Sequence, residues 1–140
     1  MKYSYICQPV YNESMPRGSK SVSLAGLFAA LADSTRLRLL NLMAGHEVCV
    51  CHFVEILGQS QPKISRHLAY LRKAGLVHAR REGKWMHYSL CPPADAEAGS
   101  ILAAALHSFS RDKQMRAERG KLERVCCNNG REELQQIRKG

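Results

Sequence analysis

Six cysteines stand in this 140-residue sequence, at positions 7, 49, 51, 91, 126 and 127. Cys7 and Cys91 are isolated, whereas Cys49-Val50-Cys51 and Cys126-Cys127 are close pairs. Thiolates are soft donors that select soft ions, and trivalent arsenic and antimony take three sulfurs in a pyramid. Vicinal thiols make a poor disulfide but can chelate one large soft atom. Both pairs are therefore candidate ligands. Enzymatic use of the thiols would call for an activated thiolate in a phosphate-cradling loop or a Cys-x-x-Cys at a helix start. Neither pattern occurs, so a thiol enzyme such as a small arsenate reductase is the weaker reading and the chain is expected not to be an enzyme.

A second group of residues suits nucleic acid. Between Ser60 and Leu90 there are seven basic residues and one acidic, which supplies most of the net charge of +9. An apolar stripe of Ile64, Leu68 and Leu71 sets one face of a helix, and the opposite face of its first two turns carries Gln61, Lys63, Ser65 and Arg66, with His67 at the edge. Gln can bond adenine and Arg guanine through paired hydrogen bonds, while Ser and Lys can reach bases or phosphate. Arg80, Arg81 and Lys84 cluster at the tip of a hairpin and suit an adjacent backbone or minor groove through phosphate charge.

The elements that hold these groups follow from periodicity. Residues 1–20 are polar with Pro9, Pro16 and Gly18, and read as a flexible arm. Leu24, Leu27, Phe28 and Leu31 predict a helix entered at Ser21 or Ser23. Asp33-Ser34-Thr35 breaks it and caps a second, with Leu37, Leu40 and Met43, ending at Gly45. Val50, Phe53, Val54 and Leu57 predict a short third helix ending at Gly58. A fourth starts at Ser60-Gln61-Pro62, where proline is tolerated in the first turn, and ends at Ala74-Gly75. Leu76–Ala79 and Trp85–Leu90 read as strands. After Pro92-Pro93 comes a helix with Ala98, Ile101, Leu102, Ala105, Leu106 and Phe109 on one face, to about Ser110. Residues 111–140 alternate charges and read as a partly helical, loosely docked tail that buries little.

This order is that of a mainly α winged helix-turn-helix domain, residues 21–110, with a small β-hairpin. The stripes on its first and last helices exceed what so small a unit can cover, which predicts a homodimer joined through the N- and C-terminal helices. No apolar run is long enough to span a bilayer and no signal-peptide pattern opens the chain, so a cytoplasmic protein with reduced thiols is expected.

The stretch from Glu47 to Leu90, EVCVCHFVEILGQSQPKISRHLAYLRKAGLVHARREGKWMHYSL, closely resembles the ArsR/SmtB family of metal-responsive repressors, its arsenic-sensing branch in particular. SQPKISRHLAYLRKAGLV is similar to that family's recognition-helix signature, REGKWMHYSL to its wing, and ALADSTRLRLLNLM to the segment upstream; together the resemblance covers roughly residues 21–110. It implies a repressor that binds palindromic double-stranded operator DNA, needs no catalytic cofactor, and is released when arsenite or antimonite binds as inducer. Cadmium, lead, zinc or thiol oxidation are the alternatives within the same fold. The family's motif E-x-C-V-C-D reads Glu47-Val48-Cys49-Val50-Cys51-His52 here, with histidine in place of aspartate. Arsenic sensors often carry a third cysteine three residues after the second; that position is Val54. The third ligand is then open between Cys126 or Cys127, Cys7 (as in the cadmium and lead sensors, whose N-terminal cysteines join the pair), a glutathione and a water. Asp95, Glu97 and His107 on the last helix do not reproduce the spacing of the family's zinc sites. Residues two apart on a regular helix point about 200° apart, so Cys49 and Cys51 cannot converge on one atom unless the start of the third helix unwinds, and ligand binding is expected to conflict with a regular third helix.

Overall fold

The computed structural model describes residues 22–125. Helix α1 spans Leu24–Leu31, α2 Ser34–Met43, α3 Val50–Leu57, α4 Gln61–Lys73 and α5 Ala96–Phe109; strands are β1, Val48–Cys49, β2, Val77–Glu82, and β3, Trp85–Leu90. A further helix, α6, covers residues 113–125. Each boundary has a local cause. Ser23 Oγ accepts from Gly26 N–H, Asp33 Oδ1 from Arg36 N–H and Asp95 Oδ2 from Ala98 N–H, each at 3.0 Å, satisfying helix-start donors that lack a partner within the helix. α3 stops at Gly58, whose φ of +64° is a left-handed conformation that favours glycine.

The predicted stripes fill one core. Leu27, Leu39, Leu40, Leu42, Met43, Phe53, Ile64, Leu68, Leu71 and Leu76 are buried together at the crossing of α1 to α4. Helices α3 and α4 form the helix-turn-helix, and the hairpin β2–β3 follows as the wing, with Val77 opposite Leu90 and Glu82 opposite Trp85. Gly83 closes its two-residue loop at φ +59°, as the primed turns of tight hairpins require.

Three findings depart from the sequence reading. The sheet has three strands in the order β1-β3-β2, because the two residues Val48–Cys49 pair antiparallel with Tyr88 and His87. Along α5, Ala98, Leu102 and Phe109 are buried within the subunit, so much of that stripe serves its own core; Leu24 and Phe28 of α1 remain 56 % and 53 % exposed. Finally, α6 docks on α2. Leu122 and Glu118 are buried, Arg38 Nη2 lies 2.6 Å from Glu118 Oε1, Asn41 Nδ2 donates to Met115 O at 2.9 Å, and Arg119 Nη2 donates to Ala44 O at 3.1 Å. Its docking is mostly polar, so the helix carries little apolar stripe. Among the described residues no helix is long and apolar enough to cross a membrane.

Candidate metalloid site and nucleic-acid interface

Cys49 ends β1 and is the N-cap of α3, extended at φ −72° and ψ 144°, while Cys51 lies in the first helical turn. That placement overturns the geometric premise for unwinding. With Cys49 outside the helix, its side chain is free of the 100° rotation per residue, and the two sulfurs stand 3.1 Å apart with α3 intact. Cys49 is buried and Cys51 exposed, so the pair opens to solvent on the Cys51 side. The residue is exposed but its sulfur is partly covered, and this partial desolvation, the hydrogen bond to Cys49 and the charge of a Cys49 thiolate push the Cys51 thiol up to about 11.

Among the described residues no group of three Cys, His, Asp or Glu side chains is placed to hold an ion. Val54 stands half-buried where the family's third cysteine would be. Cys91, after β3, is the other cysteine in this part of the chain, and Cys7, Cys126 and Cys127 lie outside the described residues.

On α4, Gln61, Lys63 and Arg66 are exposed and Ser65 half-buried, opposite the buried Ile64, Leu68 and Leu71. His67 faces the other way from the expected role: its Nδ1 lies 3.5 Å from Arg36 Nη1 and 3.7 Å from Asp33 Oδ1, turned toward the start of α2. In the wing, Arg81 and Lys84 are exposed, with Arg81 Nε donating to Gly83 O at 3.2 Å and Lys84 Nζ 5.5 Å from the centre of the Trp85 ring. Arg80 is engaged instead. It donates to Glu47 from Nε at 3.1 Å and Nη2 at 2.5 Å, and to Glu82 at 3.2 Å. The Arg80 hydrogen bond holds the Glu47 carboxyl below its ordinary range.

Arg36 was not singled out from the sequence. Its Nε and Nη2 donate to Ala30 O and Ala29 O, both at 2.9 Å, and its guanidinium sits 4.2 Å from the centre of the Tyr70 ring. One side chain thus ties the end of α1 to α4. The available signal was a cation in the first turn of α2, the unfavourable end of that helix's dipole.

Residues 33–79 match the family model described as "Bacterial regulatory protein, arsR family". The arsenical resistance operon repressor of Escherichia coli (strain K12) is 43% identical over 107 residues, covering 76% of this chain and 84% of that protein. The chain belongs to the arsR family. Two solved structures share the fold. HlyU from Vibrio cholerae N16961 superposes with a TM-score of 0.55 at 28% identity, covering 69% of this chain and 99% of HlyU. The homodimeric winged helix-turn-helix domain of Mb0332 from Mycobacterium bovis, described as a possible ArsR-family regulator, has a TM-score of 0.52 at 29% identity over 64% of this chain and 81% of that one. As an arsR-family transcriptional regulator the chain puts its helix-turn-helix at α3–α4 and its wing at β2–β3, where the exposed polar residues cluster.

Proposed function

We propose that this chain is a homodimeric repressor that holds a palindromic operator with α4 and the wing, and that trivalent arsenic or antimony bound at Cys49 and Cys51 lowers its affinity for that DNA. The observation that carries this reading is the pair of sulfurs converging at 3.1 Å where β1 meets α3. Two thiols already this close can take one thiophilic ion with little movement of either side chain. The arsenical-resistance relative, with 84% of its length covered, supports the same ligand class. Cys126, Cys127 and Cys7 remain the proposed sources of a third sulfur.

The DNA surface divides by role. Arg66→Ala or Gln61→Ala removes a base contact and is expected to cost about 1–3 kcal/mol and relax sequence preference, whereas Arg81→Ala or Lys84→Ala weakens binding to all sequences and lowers the salt slope by about one. Binding isotherms on operator and scrambled duplexes at several salt concentrations check this. Wing variants that change base preference, with α4 variants that do not, would reverse the assignment.

Dimerisation is assigned to α1, where Leu24 and Phe28 leave an apolar face in water. Leu24→Glu with Phe28→Glu is expected to give monomers in light scattering that no longer hold the two half-sites together. These side chains are half exposed in the subunit, so the charges disturb its core little. A dimer that survives both changes contradicts this interface.

The function is tested by measuring operator affinity with arsenite, cadmium or neither, under a phosphine reductant that keeps the thiols from oxidising. Release by arsenite is expected. Release by cadmium alone would favour a divalent-cation sensor, and release only by peroxide without reductant would favour a redox sensor.

A further inference from the structure

Glu47 opens the E-x-C-V-C motif and contributes no sulfur. It directly precedes β1, and its carboxylate takes two hydrogen bonds from the Arg80 guanidinium, at 3.1 and 2.5 Å. Arg80 lies within β2, on the wing. The backbone makes the same connection. Cys49 is the register partner of His87 on β3, and His87 is the register partner of Arg80 on β2. Directly opposed residues project to the same face of a sheet, so Cys49, His87 and Arg80 form one row across the three strands. Glu47, two residues before Cys49, reaches Arg80 on that face.

An exposed ion pair contributes little to stability. Arg80 and Glu47 keep 46 % and 34 % of their side-chain surface in water, so stability does not explain the contact. A planar guanidinium gripping both oxygens of a carboxylate instead fixes direction, which a single-point ammonium contact does not.

We propose that Arg80 is a positioning residue: clamped by Glu47, it locks the wing to the strand bearing Cys49, so that ligand binding at the cysteine pair reorients the wing on DNA. This rests on the arsenic reading of that pair. The strain reaches the DNA surface along β1 and β3, with no need for α3 to unwind. Arg80 is then the one wing cation whose charge is directed inward, leaving Arg81 and Lys84 for phosphate.

The test uses the full chain with Glu47→Ala, and with the charge exchange Glu47→Arg, Arg80→Glu. The quantity read is the ratio of operator affinity without arsenite to that with arsenite. A drop from the five- to 150-fold range of ordinary allosteric coupling to under about threefold is expected for Glu47→Ala, with affinity in the absence of arsenite little changed. The exchanged pair is expected to restore most of the ratio. Amide hydrogen exchange without arsenite gives a second readout: residues 77–90 exchange faster in Glu47→Ala and slow again in the exchanged pair. A full ratio in Glu47→Ala, or no restoration in the exchanged pair, overturns the clamp alone. Absence of arsenite release in the wild type overturns the arsenic reading, and the clamp with it.

Discussion

Cys49→Ser and Cys51→Ser, made singly, are expected to bind operator within about threefold of wild type and to lose release by arsenite. Neither sulfur belongs to the exposed face of α4 or to the wing tip, so basal affinity has no reason to fall. Folding is not the confounder it would be at most buried positions. Cys49 occupies the N-cap of α3 without a side-chain cap bond, and serine is among the preferred N-cap residues, worth about 0.5–2 kcal/mol over alanine there. The substitution thus supplies a cap in exchange for a thiol. Cys51 is exposed, and a hydroxyl there costs little. A ligand shifts an equilibrium only by its differential affinity for the two states, so a tenfold release needs about 1.4 kcal/mol of coupling. Removing one of two chelating sulfurs takes away the site through which that coupling acts. Full arsenite release in both variants, followed by operator fluorescence anisotropy, would sink the switch.

The inducer class shows in the pH dependence of its binding. The Cys51 thiol is pushed up to about 11, so it carries its proton throughout the neutral range. A divalent cation that binds the thiolate must expel that proton, and its affinity therefore falls as pH falls, tenfold per unit for each proton displaced. From pH 6 to pH 8, cadmium affinity is expected to rise at least about a hundredfold from Cys51 alone. Arsenous acid is a neutral hydroxide whose hydroxyl groups leave with the thiol protons as water, so the exchange releases no net proton. Its affinity is expected to change by less than about threefold over the same range. Titration of the single tryptophan's fluorescence at pH 6, 7 and 8 measures both slopes. An arsenite slope as steep as the cadmium slope would contradict the exchange chemistry.

The parts of this molecule governed by local rules were legible in its sequence. Asp33 caps α2, Gly58 ends α3, and Ile64, Leu68 and Leu71 turn α4 so that Gln61, Lys63 and Arg66 face outward. Each depends on neighbours within one or two helical turns. What the sequence hid depends on pairing at a distance. β1 is two residues long, too short for alternation to show, yet it moves Cys49 out of the helix and brings the sulfurs together. Whether Arg80 faces DNA or Glu47 is set by how β1 and β2 lie across β3, a register no local pattern reveals. His67 sits at the edge of α4's polar face, and the position of Asp33 and Arg36, over thirty residues away, decides which way it turns. α6 binds through Glu118, Arg119 and the Met115 carbonyl, with Leu122 inserted, and so leaves little hydrophobic periodicity to read.

X-ray absorption at the arsenic edge, on the full chain loaded with one equivalent of arsenite, observes the proposed ligands directly. A shell of at least two sulfurs is expected in the wild type, reaching three if Cys126, Cys127 or Cys7 completes the pyramid. In the Cys49→Ser, Cys51→Ser double variant that shell is expected to give way to oxygen. An oxygen-only shell in the wild type, or a sulfur shell unchanged in the double variant, would contradict the assignment of the inducer site to Cys49 and Cys51.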